Sequence, residues 1–285
     1  MNFKINEKAL KNQDQGDIVI TMKKLIVLFF IAIIGFPLMA QDADFFYLRG
    51  SVYYQKGDLD KAIADFTRAI SLNPYDVDPW IERGNAYSDK GDYDRAIDDY
   101  NRVISMDPHQ DGAWYSRGAA YQAKGNLDRA IDDYSRALTL SPNDATIWSD
   151  RGSAYLEKGD PEKAISDFNR AITLDPNSDY IWSTRGEAYS ATGDYDKAIA
   201  DFTKAIALNT KDNTVWLSRG QAYLEKGDVD SALTDINKYL SVDPNNPDAW
   251  NSRASAYTAK GDFDQAINDL NKAADLTAKQ QQQAQ

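Results

Sequence analysis

DGAWYSRGAAYQAKGNLDRAIDDYSRALTLSPND, residues 111–144, decides the fold. Trp114, Gly118 and Tyr121 fall three and four residues apart, on one face of a first helix. Ala130, Tyr134 and Ala137 repeat that spacing on a second helix. Gly125 stands between the two stripes, where a left-handed C-cap would end the first helix. Asn126 follows as an N-cap for the second, and Pro142 stops that helix from continuing.

The same pattern recurs on both sides with a period of 34 residues. It divides the chain into 43–76, 77–110, 111–144, 145–178, 179–212, 213–246 and 247–280. Position 4 of the repeat is Phe46, then Trp80, Trp114, Trp148, Trp182, Trp216 and Trp250. Position 8 is Gly up to Gly220 and then Ala254. Tyr at position 11, Gly at 15 and Ala at 20 occur in every copy. Pro occupies position 32 at Pro74, Pro108, Pro142, Pro176 and Pro244, whereas repeat 5 has Thr210. In repeat 4, Asp160 precedes Pro161, which suits the first helical position. A bulky Trp opposite Gly and Ala lets two helices approach closely, so the indoles are read as structural. Repeat 6 carries Ile236 and Tyr239 where an aromatic and an Ala stand elsewhere, a compensating exchange of bulk.

These blocks resemble tetratricopeptide repeats over residues 43–280. The resemblance implies an all-α, right-handed superhelical solenoid of seven helix-turn-helix hairpins. One hairpin cannot bury its own apolar face, so stability is a sum of repeat and interface contributions.

Position 7 is Arg and position 23 is Asp in every copy. The pairs are Arg49 with Asp65, Arg83 with Asp99, Arg117 with Asp133, and Arg151 with Asp167. Arg185 with Asp201, Arg219 with Asp235, and Arg253 with Asp269 complete the set. Both positions border the buried stripes. A buried charge is costly unless partnered, so Arg is expected to meet Asp across each hairpin.

The resemblance also implies a ligand groove along the first helices, at repeat positions 2, 5, 9, 12 and 13. Candidates in repeats 1 to 3 are Asp44, Tyr47, Ser51, Tyr54, Asp78, Ile81, Asn85, Tyr115 and Gln122. Those in repeats 4 to 6 are Ser149, Leu156, Tyr180, Glu187, Leu217, Gln221 and Leu224; Glu225, Asn251 and Ser255 share the same repeat positions. No groove position holds Lys or Arg, so the basic clamp of chaperone-binding relatives is missing. Aromatic and aliphatic residues among small polar ones suit a peptide. Scattered acids favour a neutral or basic one.

The net charge is −12, from 32 basic and 44 acidic residues. Excess acid argues against nucleic acid and anionic membrane as partners. With no Cys and only His109, neither a disulfide nor a His- or Cys-based metal or nucleophile site can be built. The Gly-Asp-x-Asp runs lack the further spacing of a calcium loop. No cofactor and no enzymatic activity are expected.

Residues 1–40 are a different kind of sequence. Lys23 and Lys24 precede an apolar run over 25–36, and Pro37, Leu38, Met39 and Ala40 follow. This reads as a secretory signal peptide over 22–40, cleaved after Ala40, with 1–21 a leader or a mis-assigned start. An uncleaved membrane anchor is the alternative. The favoured function is an exported, periplasmic or secreted interaction scaffold that binds a protein or peptide. An inner-membrane-anchored adaptor for envelope or cell-wall assembly is the second reading. Residues 281–285 read as a polar tail. With no obvious helix after repeat 7, that end either caps itself or docks a partner or a second copy.

Overall fold

The structure is a computed structural model that describes residues 42–208 and 213–283. The expected leader and signal segment, Thr210 and the last two residues of the tail lie outside the described residues. Among the described residues there are fourteen α-helices and no strand.

The described residues form two compact units, one up to residue 124 and one from residue 125. The first holds α1 (Ala43–Gln55), α2 (Leu59–Leu72), α3 (Asp78–Asp89), α4 (Tyr93–Met106) and α5 (Asp111–Ala123). The second begins with α6 (Leu127–Leu140), α7 (Ala145–Glu157), α8 (Pro161–Leu174), α9 (Asp179–Ala191) and α10 (Tyr195–Ala207). It continues through α11 (Thr214–Lys226), α12 (Val229–Leu240), α13 (Pro247–Lys260) and α14 (Phe263–Gln283). Odd-numbered helices open a repeat and even-numbered ones close it. Within each unit consecutive helices pack on one another. The fold is all-α, a succession of repeated helix hairpins.

The turn between paired helices follows from two residues. Gly193 takes φ +78°, a left-handed conformation that a side chain disfavours. That bend sends the Asp194 amide back to the Tyr189 carbonyl at 2.9 Å, closing α9. Asp194 then accepts from the Lys197 amide at 3.3 Å and opens α10. Asp160 departs from this pattern and caps no backbone amide. Pro161 occupies the first turn of α8, and the Asp160 carboxylate keeps only the ion pair with Lys163 Nζ, at 2.6 Å, that Asp58 and Asp194 make with Lys61 and Lys197 as well as capping.

The glycine inside the opening helices of repeats 1, 2, 4, 5 and 6 sets how closely those hairpins pack. A Cβ added at Gly186 would lie 2.7 Å from the ring of Phe202, which is 1% exposed. Gly152 faces Phe168 in the same way at 2.9 Å, and Gly84 faces Tyr100 at 2.7 Å. In repeat 6 the seat is filled by Ile236, 2.8 Å from a Cβ at Gly220. Tyr239 supplies the missing bulk from the next turn and is 4% exposed. Its hydroxyl donates to Asp243 at 3.0 Å and accepts from Asn246 Nδ2 at 2.8 Å, tying α12 to the following loop.

Indole and guanidinium join one repeat to the next. Trp182 Nε1 donates to the Pro176 carbonyl at 2.9 Å, and Trp80, Trp114, Trp148 and Trp250 make the equivalent bond. Each position-32 proline therefore accepts a bond as well as ending a helix. Arg185 lies over the Trp182 ring, 4.8 Å from its centroid. Its Nε and Nη2 grip both oxygens of Asp201 at 2.7 and 2.8 Å. Its third donor, Nη1, reaches Asn169 of the preceding repeat at 2.6 Å.

Arg151, Arg219 and Arg253 repeat this fork on Asp167, Asp235 and Asp269, as Arg49 and Arg83 do on Asp65 and Asp99. Arg117 and Asp133 belong one to each unit. A second rung links Lys at repeat position 14 to Asp at position 18 of the repeat before. Lys90 pairs with Asp60, Lys124 with Asp94, Lys158 with Asp128, Lys226 with Asp196 and Lys260 with Asp230.

Helix α14 ends later than the repeat pattern implies. Position 32 of repeat 7 is Ala278 rather than Pro, so nothing stops the helix there. The Lys and Gln residues that follow are good helix formers, and α14 takes in residues 281–283 of the expected polar tail.

Two outcomes test this packing. Gly186→Ala lowers stability by about 1–3 kcal/mol, because a rigid buried ring must move. An unchanged urea midpoint would refute the close seat. Arg219→Leu leaves Asp235 buried and unpaired and costs about 3–5 kcal/mol, while Arg219→Leu with Asp235→Leu costs far less. Additive losses in that double-mutant cycle would reject the pairing.

Candidate functional site

A cleft of about 550 Å³ opens in the second unit, walled by the opening helices of three successive repeats. From α9 come Glu187 and Ser190, from α11 Gln221, Leu224 and Glu225, and from α13 Asn251 and Ser255. Glu187, Gln221 and Ser255 occupy one repeat position in three consecutive copies, which is why they line up. The helical rise sets Ser190 and Leu224 one turn further along. Phe202 and Ala222 form an apolar floor, and Tyr195 at the start of α10 closes one side.

Its electrostatics follow from that lining. Two carboxylates, Glu187 and Glu225, border the cleft, and no Lys or Arg does. Gln221 Nε2 donates to Ser252 Oγ at 3.0 Å, holding α11 to α13 across the opening. Serine hydroxyls and amide groups leave donors and acceptors for a backbone, while Leu224 and Phe202 offer apolar contact. The volume falls within the range of ligand pockets, which is roughly 300–1,000 Å³.

Sequence reasoning put Glu187, Gln221 and Leu224 among the groove candidates, and they share this cleft. It missed Ser218 and Ser252 at repeat position 6, and Tyr195 at the start of a closing helix. Position 6 did carry a signal. It is polar from repeat 2 onward, next to an Arg whose side chain turns inward.

The remaining candidates are placed differently. Ser51 and Ser149 are 6% and 3% exposed, too deep to touch a ligand. Ser51 Oγ donates to the Tyr47 carbonyl at 3.0 Å, one turn back. The Ser149 hydroxyl has no partner among the described residues. Asn85 accepts from the Tyr100 hydroxyl at 2.7 Å, so its oxygen is already engaged. Tyr54 donates to Asp89 at 2.6 Å, which bridges two repeats of the first unit. Ile81, Leu156 and Leu217 are half-buried against core clusters that their hairpins share with the next repeat.

Asp44 and Asp78 are exposed, Tyr115 and Gln122 half-buried. Tyr180 is 53% exposed, with its hydroxyl 3.4 Å from Ser153 Oγ. Burial, then the carboxylates of Asp78 and Glu82, push the Tyr47 hydroxyl up to about 12. It therefore stays neutral, and the surface of the first unit around it is acidic in character.

Comparison with known proteins gives a consistent answer. The profile described as Tetratricopeptide repeat matches residues 81–145, 183–247 and 217–282. A second profile of that description matches 118–180, and one described as TPR repeat matches 50–91. No curated protein matches the chain. Among solved structures, MamA is 28% identical, over 56% of this chain and 94% of that one, with a TM-score of 0.54. A tetratricopeptide repeat protein from Parabacteroides merdae is 20% identical, over 82% and 93%, with a TM-score of 0.65. PilF of Pseudomonas aeruginosa is 16% identical, over 71% and 92%, with a TM-score of 0.62. These last two likenesses bear on the fold alone. With its period, its capping glycines and profile matches over more than half its length, the chain belongs to the tetratricopeptide repeat family.

Proposed function

We propose that this protein is a non-catalytic scaffold that holds a neutral or basic peptide segment against its opening helices. Membership of a family of protein-interaction scaffolds supplies the general role. The cleft lined by α9, α11 and α13 carries the finer reading, because carboxylates border it without a compensating cation. An extended peptide would lay its backbone along Ser190, Gln221, Asn251 and Ser255. A Lys or Arg side chain would meet Glu187 or Glu225. An acidic segment would bring like charges together in a partly enclosed space, which disfavours it.

Anisotropy with labelled basic, neutral and acidic peptides of one length tests the reading. The basic and neutral peptides bind, the basic one more weakly as salt rises, and the acidic one does not. Glu187→Lys with Glu225→Lys reverses that order. If the double variant leaves the order unchanged, the cleft is not the site.

Export belongs to the same proposal. It is supported by Lys23 and Lys24 before the apolar run over 25–36 and by the small residue Ala40. The chain isolated from its source then starts at Gln41 and stays in the soluble fraction. A chain that keeps residues 22–40 and sediments with membranes would favour the anchored adaptor instead.

A further inference from the structure

Helix α14 presents an apolar face that nothing covers among the described residues. Phe263, Ile267 and Leu270 are 63%, 56% and 50% exposed. One period earlier, Leu233 and Ile236 hold the places of Ile267 and Leu270 and are 8% and 0% exposed. There, Ala249 of α13 shares a core cluster with Ile236, and Trp250 packs against that cluster. The face of α14 is thus built as the seat for the opening helix of one more repeat.

The polar rungs say which helix fits. At the junction between repeats 6 and 7, Lys260 pairs with Asp230 at 2.7 Å and Arg253 Nη1 donates to Asn237 at 2.7 Å. The next residues in those two series are Asp264 and Asn271, both exposed and without a partner among the described residues. At the other end, α1 carries the matching donors. Lys56 is exposed, and Arg49 spends Nε and Nη2 on Asp65, leaving Nη1 without a partner among the described residues. The Arg49 side chain is 34% exposed, against 13–17% for Arg83, Arg151, Arg185, Arg219 and Arg253. Arg49 and Lys56 are seven residues apart, as are Asp264 and Asn271, so both pairs span two helical turns.

We propose that α14 of one copy docks on α1 of a second copy, continuing the repeat stack from chain to chain. Lys56 then meets Asp264, Arg49 Nη1 meets Asn271, and Phe46 and Val52 cover Ile267 and Leu270. The contact is heterologous, joining two different surfaces, and leaves one of each free for further copies.

Sedimentation of the full chain over a range of concentrations tests this, with charge-reversed variants. The natural chain associates as concentration rises. Asp264→Lys alone and Lys56→Asp alone each weaken association by about tenfold, the scale of reversing one exposed pair. Mixing those two variants restores it, because every contact between unlike copies again joins opposite charges. Leu270→Glu abolishes association while leaving the helical signal intact, since Leu270 is already half exposed. A natural chain that stays monomeric throughout overturns the proposal. So does association that Lys56→Asp leaves untouched, which would mean that α14 pairs with itself or with another surface.

Discussion

An aromatic ring pressed against bare backbone is the contact on which the rest of this structure depends. Phe168 or Phe202 reaches its opening helix only because Gly152 or Gly186 has no Cβ to meet it. In the same hairpins the Asp of the closing helix lies beneath the Arg of the opening one and is gripped at both oxygens. Repeat 7 has relaxed both members at once: Ala254 stands where Gly would be, and Leu270 where the ring would be. That is also the repeat whose closing helix leaves its apolar side uncovered.

The arginine then does two jobs with one planar group. Two of its donors satisfy a buried carboxylate within the hairpin, and the third crosses to the preceding hairpin. Lys could neutralise the same Asp but could not hold this geometry, since its ammonium lacks the rigid fork. Tight pairing within a repeat and registration between repeats are therefore one constraint, and altering the Arg disturbs both. The cleft inherits that registration. Glu187, Gln221 and Ser255 line one cleft because each junction places its opening helix at a fixed offset from the last.

Much of this was legible in the sequence, because period and residue type report directly on helix faces and caps. The left-handed glycines, the closing prolines and the Arg and Asp positions all follow from spacing. Contacts that depend on side-chain reach were not legible. Nothing in a list of prolines says that the Pro176 carbonyl will accept from Trp182, since a carbonyl carries no sequence signature. Ser51 and Ser149 occupy groove positions by register, yet small side chains sink where larger neighbours cover them. Asp160 reads as a cap like its counterparts but accepts from no backbone amide. The cleft was legible only in part: the repeat positions indicated three walls, while Ser218, Ser252 and Tyr195 come from positions that a single helix face does not reveal.

The tryptophans have a use beyond holding the stack. Repeats 2 to 7 each contain one indole and repeat 1 contains none, so the first hairpin gives no tryptophan emission and every other is labelled once. For five of these indoles the ring nitrogen is bonded to the preceding proline, and each lies beside a guanidinium. Parting two neighbouring repeats strips the proline bond from one chromophore, whose guanidinium neighbour stays on the same helix, and leaves the others as they were. With all but one indole replaced by Phe, emission from the survivor reports the opening of a single junction, and a set of such chains charts fraying along the array repeat by repeat.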